Sequence, residues 1–195
     1  MDLSQLFYSL QIGSYYINVK MNSKRSFLKS KRRQTAMSNE NNVFYWLPCS
    51  VVFVSTAHED KRDIMTATAM FVSEKEPVLV ISVATGHLTE KLISQSGKFT
   101  LVIAADDQKQ LAMQVGSFKG EAADKFERFK ITAAPGDRGK ALIPEGAAAW
   151  LACEVESSQE IRGYRLFMGR VVNQNDTGKP PLVWHKNDFF KLKPA

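Results

Sequence analysis

With 195 residues, 44% of them hydrophobic and 24% charged, the chain suits one compact domain with a sizeable core plus appendages. No stretch reaches the ~18 uninterrupted apolar residues of a membrane helix, so no membrane partner is expected and the body is read as cytoplasmic. Cys49 and Cys153 are far apart and form no CxxC, which excludes a disulfide framework or zinc signature and suggests buried thiols in a reducing compartment. The net charge of +6 is local: residues 1–37 hold seven basic side chains and one acid, and the other 158 residues balance 19 against 19.

That basic extension, residues 1–42, shows no convincing period and ends in the polar run SNENN. A charge run of this kind suits a nucleic-acid or membrane arm, a targeting peptide, or a solvated flexible tail, with Met37 as an alternative first residue. The flexible tail is the reading adopted, with residues 43–195 as the folded domain and no nucleic-acid partner.

From Val43 the chain becomes strand-rich. Val43 to Thr56 is apolar and β-branched around Pro48, His58 to Asp63 is a charged turn, and Thr66 to Ala69 are small enough to let a ligand lie against the backbone. After the EKEP turn, Val78 to Val83 (VLVISV) reads as a strand buried on both faces. Ala84 to Thr89 forms a loop whose Thr89 is placed to cap a helix starting at Glu90, with Leu92 and Ile93 inward and Gly97 as its stop. Helix N-termini with nearby hydroxyls attract phosphate.

Phe99 to Ala104 is another strand, and Lys109 to Val115 has one apolar helical face. Gly116 to Phe129 reads as a loop in which Gly116, Ser117, Gly120 and Lys125 are suited to close over an anionic cofactor. Pro135 to Pro144 is turn material. Ala149 to Val155 and Arg165 to Val171 alternate about an SSQEIRG turn, which predicts a hairpin, and Leu182 to His185 offers a last short strand. Many short strands with two or three brief helices argue for a mainly β, antiparallel barrel, since closing the sheet removes exposed edges.

Motifs for other chemistries are missing. No GxGxxG follows a strand and no GxSxG surrounds Ser117. His58, His87 and His185 are too scattered for a metal set, so no metal is expected. His87 alone stands out, because it falls in the presumptive phosphate loop. No catalytic side chain is assigned.

The ordered series VVFVST, MTA, EKEPVLVISV, HLTEKLISQSGKFTLVI, VGSFKGEAADKF, WLACEV and RLFMGRVV resembles the flavin reductase-like FMN-binding split barrels, including flavoredoxin-type proteins. The resemblance runs from about Val43 to His185. It departs from the family where an asparagine usually precedes the MTA element and this chain has Asp63. It implies an antiparallel split β-barrel that binds FMN, with FAD possible, and takes a hydride from NADH or NADPH. An electron carrier working with a redox protein partner is the alternative. By the same resemblance, Thr66, Ala67 and Thr68 line the isoalloxazine and ribityl side, Ser82, His87 and Thr89 lie near the phosphate, Ser117 and Lys125 are further candidates, and the protein is a homodimer.

Overall fold

Alternation explains the centre of the molecule. Val51 and Phe53 pack with Ile64, Val102, Ala112 and Trp184, while Val52 and Val54 pack with Leu79, Ile81, Phe99 and Phe167. A period of two sends neighbouring side chains to opposite faces, so this stretch is buried on both. The computed structural model describes residues 8–12, 15–19, 46–135 and 141–193.

The main sheet is antiparallel and seven-stranded. It comprises β4 (Val52–His58), β5 (Lys61–Ala67), β6 (Ala69–Ser73), β7 (Val78–Ala84), β8 (Lys98–Ile103), β11 (Ala149–Ile161) and β12 (Tyr164–Asp176), in the order β5-β4-β8-β11-β12-β7-β6. A smaller sheet joins β3 (Cys49–Ser50), β13 (Leu182–His185) and β14 (Asp188–Lys191). Backbone bonds from Val51 N–H to Leu182 O and from Leu182 N–H to Ala104 O tie it to the main sheet. β9 (Ala133–Pro135) pairs with β10 (Leu142–Pro144). The helices are α1 (Leu88–Ser96), α2 (Lys109–Ser117) and the single turn α3 (Lys125–Arg128). The chain is therefore mainly β and antiparallel. One core cluster draws Ala67 from β5 and Leu79, Ile81 and Val83 from β7, strands near opposite ends of the sheet order.

Several elements differ from their sequence pattern. β7 buries Leu79, Ile81 and Val83 and leaves Ser82 and Ala84 half-buried, so it is covered on one face rather than two. Its other face is where the cleft described below opens. The predicted turn at His58 to Asp63 shrinks to Glu59 and Asp60, because Lys61 to Asp63 pair with β4. SSQEI belongs to β11, and the turn is only Arg162 and Gly163, with φ of 50° and 81°. That two-residue geometry matches sheet twist and favours glycine. Polar residues extend the strand here because the hairpin projects past the core and both of its faces are exposed.

The strand expected across Pro48 is limited to Cys49–Ser50 and Val52–His58, and Val43 to Tyr45 lie outside the described residues. Residues 136–140 of the predicted turn lie outside them as well. Its flanks, predicted as turn, are β9 and β10. In the N-terminal extension, β1 (Tyr8–Ile12) and β2 (Tyr15–Val19) form a hairpin, with β1 against α2. Tyr, Leu and Ile favour strand there. The rest of the extension lies outside the described residues.

Candidate functional site

A cleft of about 750 Å³, including the part open to solvent, lies where β5, β7, α1, α2 and the segment before α3 meet. Six of the eight residues singled out by sequence line it: Thr66, Ser82, His87, Thr89, Ser117 and Lys125. Ala67 is buried in the core, and Thr68, in the break between β5 and β6, is not on the cleft wall.

Short side chains make up part of the walls, among larger ones such as Met65, Phe118 and Tyr164. Ser82 and Ala84 come from the half-buried face of β7, and Gly116 and Ser117 from the end of α2, which runs two residues further than its apolar face predicts. The Ser117 hydroxyl donates to Gln114 O at 3.1 Å. Thr66 is less available than its position suggests, because its hydroxyl donates to Ala112 O at 2.7 Å and pins β5 to α2.

Thr89 does not cap α1. The helix begins two residues earlier than the sequence predicts, at Leu88; His87 is the N-cap and makes no side-chain cap bond. Glu90, in the first turn, accepts the Gly86 N–H at 3.3 Å and ties the preceding loop to the helix. The Thr89 hydroxyl instead donates to Asp63 Oδ2 at 2.5 Å. Asp63 also pairs with Lys125, whose Nζ lies 3.1 Å from Oδ1 and donates to Ile64 O at 2.6 Å. Both charged side chains are only 3% exposed. Burial pushes the Lys125 ammonium below its ordinary value, and the Asp63 carboxylate opposes that shift.

A second ion pair holds the loop before α1. Arg165 Nε lies 2.7 Å from Glu90 Oε1, and the Thr85 N–H and hydroxyl both donate to Gly163 O. Across the cleft, Phe118 stacks edge-on to Phe129 at 5.7 Å, with the Arg128 guanidinium 4.3 Å from the Phe118 ring centre. Glu121 pairs with Lys91 at 3.0 Å. Gly120 is needed for close approach, since a Cβ there would sit 2.7 Å from Asp63 Cγ. His87 is pushed below its ordinary value, chiefly by burial, with the carboxylate of Glu121 opposing, so its imidazole is neutral near pH 7.

Gly120 was among the residues expected to close over the cofactor, whereas sequence reasoning missed Glu90 and Arg165 beside the cleft and the capped turn α3. Only α3 had a local signal: Asp124 followed three residues later by Glu127 is a helix-start pattern, and Asp124 accepts the Phe126 N–H at 2.8 Å. Among the described residues, no group of three or more His, Cys, Asp or Glu is placed to hold a metal.

The cleft's lining brings short side chains together with hydroxyls, an imidazole and an ammonium. Comparison with known proteins gives the family. Residues 44–193 match the family described as flavin reductase like domain. An NADH-dependent flavin reductase from a Rhodococcus species is 31% identical over 147 residues, covering 73% of this chain and 79% of that protein. An NADH:riboflavin 5'-phosphate oxidoreductase from Streptomyces pristinaespiralis is 24% identical over 150 residues, covering 76% and 82%. Among solved structures, the NADH:FAD oxidoreductase of Streptomyces globisporus superposes with a TM-score of 0.74 at 18% identity, over 86% of this chain and 99% of that one. The family match spans well over half of the sequence, and the chain belongs to the flavin reductase-like domain family.

Proposed function

We propose that this protein is an NAD(P)H:flavin oxidoreductase that uses FMN, or FAD, and takes its electrons from NADH or NADPH. The observation that supports this best is the cleft itself, walled by Ser82, Ala84, Gly116 and Gly120, in a chain of the flavin reductase-like family. When bound, the flavin supplies the hydride acceptor, so the protein needs no nucleophile or acid–base pair of its own. Its residues bind and orient. Reacting atoms must approach to about 3–3.5 Å, which favours short side chains on the walls. Ser82, His87 and Ser117 supply polar contacts, and Phe118 and Tyr164 offer apolar surface that keeps water out. Purified protein is expected to oxidise NADH or NADPH when FMN is added, read as loss of reduced-nicotinamide absorbance. No oxidation of either nicotinamide with FMN or FAD present would overturn the proposal.

The same reading includes a split barrel, with the seven-stranded sheet curled about the core that β5 and β7 share. It also includes a homodimer. β6 forms one end of the sheet order and exposes Met70, Phe71 and Val72 at 66%, 67% and 56%. An edge strand of this composition needs a cover, and a second copy provides one. Residues 43–195 form the flavin domain and residues 1–42 an appendage. A chain begun at Met37 is expected to bind FMN as tightly as the full chain, and a marked loss of affinity in that titration would show the appendage is part of the site.

A further inference from the structure

The α1 end of the cleft carries charge that a flavin site need not have. Two carboxylates already occupy the neighbourhood of the helix N-terminus, where an anion gains most from the helix field. Glu90 takes the Gly86 N–H, and Asp63 takes the Thr89 hydroxyl. The cations nearest to them are also committed: Arg165 to Glu90 at 2.7 Å and Lys125 to Asp63 at 3.1 Å. Lys125 is held a second time by Ile64 O, and its side chain is 3% exposed. Asp63 Oδ1 meets the ammonium as an ion pair, without a well-directed hydrogen bond, and is otherwise buried and unpartnered on the cleft floor. Gly120 packs directly on this carboxylate, which fixes it in place.

We infer that Asp63 sets the ligand selectivity of this cleft: by holding both Lys125 and Thr89 and adding its own negative charge, it removes the advantage that a phosphorylated flavin would have over riboflavin. This rests on the proposed flavin chemistry and states which part of the flavin the site reads. The ring system is recognised by the small-residue walls, and the phosphate adds little. In an Asp63→Asn variant the Thr89 hydroxyl keeps a carbonyl acceptor of the same shape, while Lys125 loses its carboxylate partner. An anion in the cleft is then the partner that restores a paired ammonium, so phosphate selectivity should appear.

Fluorescence quenching titrations of riboflavin and FMN against the full-length protein test this without turnover. In the wild type the two dissociation constants are expected to agree within about threefold. In Asp63→Asn, FMN should tighten relative to riboflavin by about tenfold, and added salt should weaken that gain. A wild-type preference for FMN of about thirtyfold or more would overturn the inference whether or not the variant folds. An Asp63→Asn protein with native circular dichroism and an unchanged FMN-to-riboflavin ratio would overturn it too. Binding of neither flavin by the wild type would overturn this inference and the flavin reading together, whereas phosphate-selective binding removes the inference alone.

Discussion

The cleft floor and the β6 edge each invert the ordinary placement of residues, in opposite directions. On the floor, Asp63 and Lys125 are charged and buried; on the edge, Met70, Phe71 and Val72 are apolar and exposed. The floor's charges are paired within the chain, because the carboxylate has an ammonium and a hydroxyl and the ammonium has a carbonyl, although Asp63 Oδ1 lacks a directed hydrogen bond. No such partner covers the edge among the described residues. A buried charge is tolerated only when paired, so the floor must be complete before any ligand arrives. Exposed apolar strand surface is tolerated until a partner meets it. The first region is thus a property of the monomer, and the second points outward to an assembly.

The sharpest way to break this contrast is Lys125→Met, which leaves the Asp63 carboxylate buried without its cation and is expected to cost about 3–5 kcal/mol in urea denaturation. Adding Asp63→Asn to that variant should recover much of the loss. A fully stable single variant would mean the pair is open to water. Next is Thr89→Ala, which removes a hydrogen bond to a charged group and is expected to cost about 1.5–3 kcal/mol, with Thr89→Ser close to wild type. Equal stability of the alanine and parent proteins would show that the Asp63–Thr89 bond contributes nothing.

On the edge, Phe71→Glu should change monomer stability by no more than about 0.5 kcal/mol while dissociating the proposed dimer. Light scattering is expected to give twice the 21.9 kDa chain mass for the parent and the single mass for the variant. A parent already at the single mass with flavin bound would leave the edge without a role.

The smallest effect concerns His87. Its folded value lies below the ordinary 6.5, so the unfolded chain takes up the proton first. The contribution of His87 to stability is present above pH 6.5 and is lost as pH falls through the lower folded value. An NMR titration should find the His87 midpoint below 6.5 and that of a His87-containing unfolded peptide near it. A midpoint above 6.5 would mean that Glu121 outweighs burial.

Much of the architecture was legible because strands and helices write their periods locally. Phe99 to Ala104, Leu182 to His185 and the inward Leu92 and Ile93 lie where their patterns place them. Six candidate residues converged on one cleft because hydroxyls, small residues and glycines clustered near predicted loops. β14 was missed because Lys186 and Asn187, both at positive φ, make a two-residue turn in which lysine gives no warning.

The sequence by itself determined the strand-rich class, the family, the location of the charge excess and the residue types around the cleft, since each of these is written in neighbouring positions. Only the tertiary structure decided what those residues do to one another. Thr89 and Asp63 are 26 positions apart, and Lys125 and Ile64 are 61 apart. A hydroxyl that a linear reading assigns to a helix cap or a phosphate can therefore be taken by a carboxylate from a strand. Periodicity reports which face a side chain occupies. It does not report which distant group waits on that face, and at this cleft the distant group settles whether a lysine stays available to an anion.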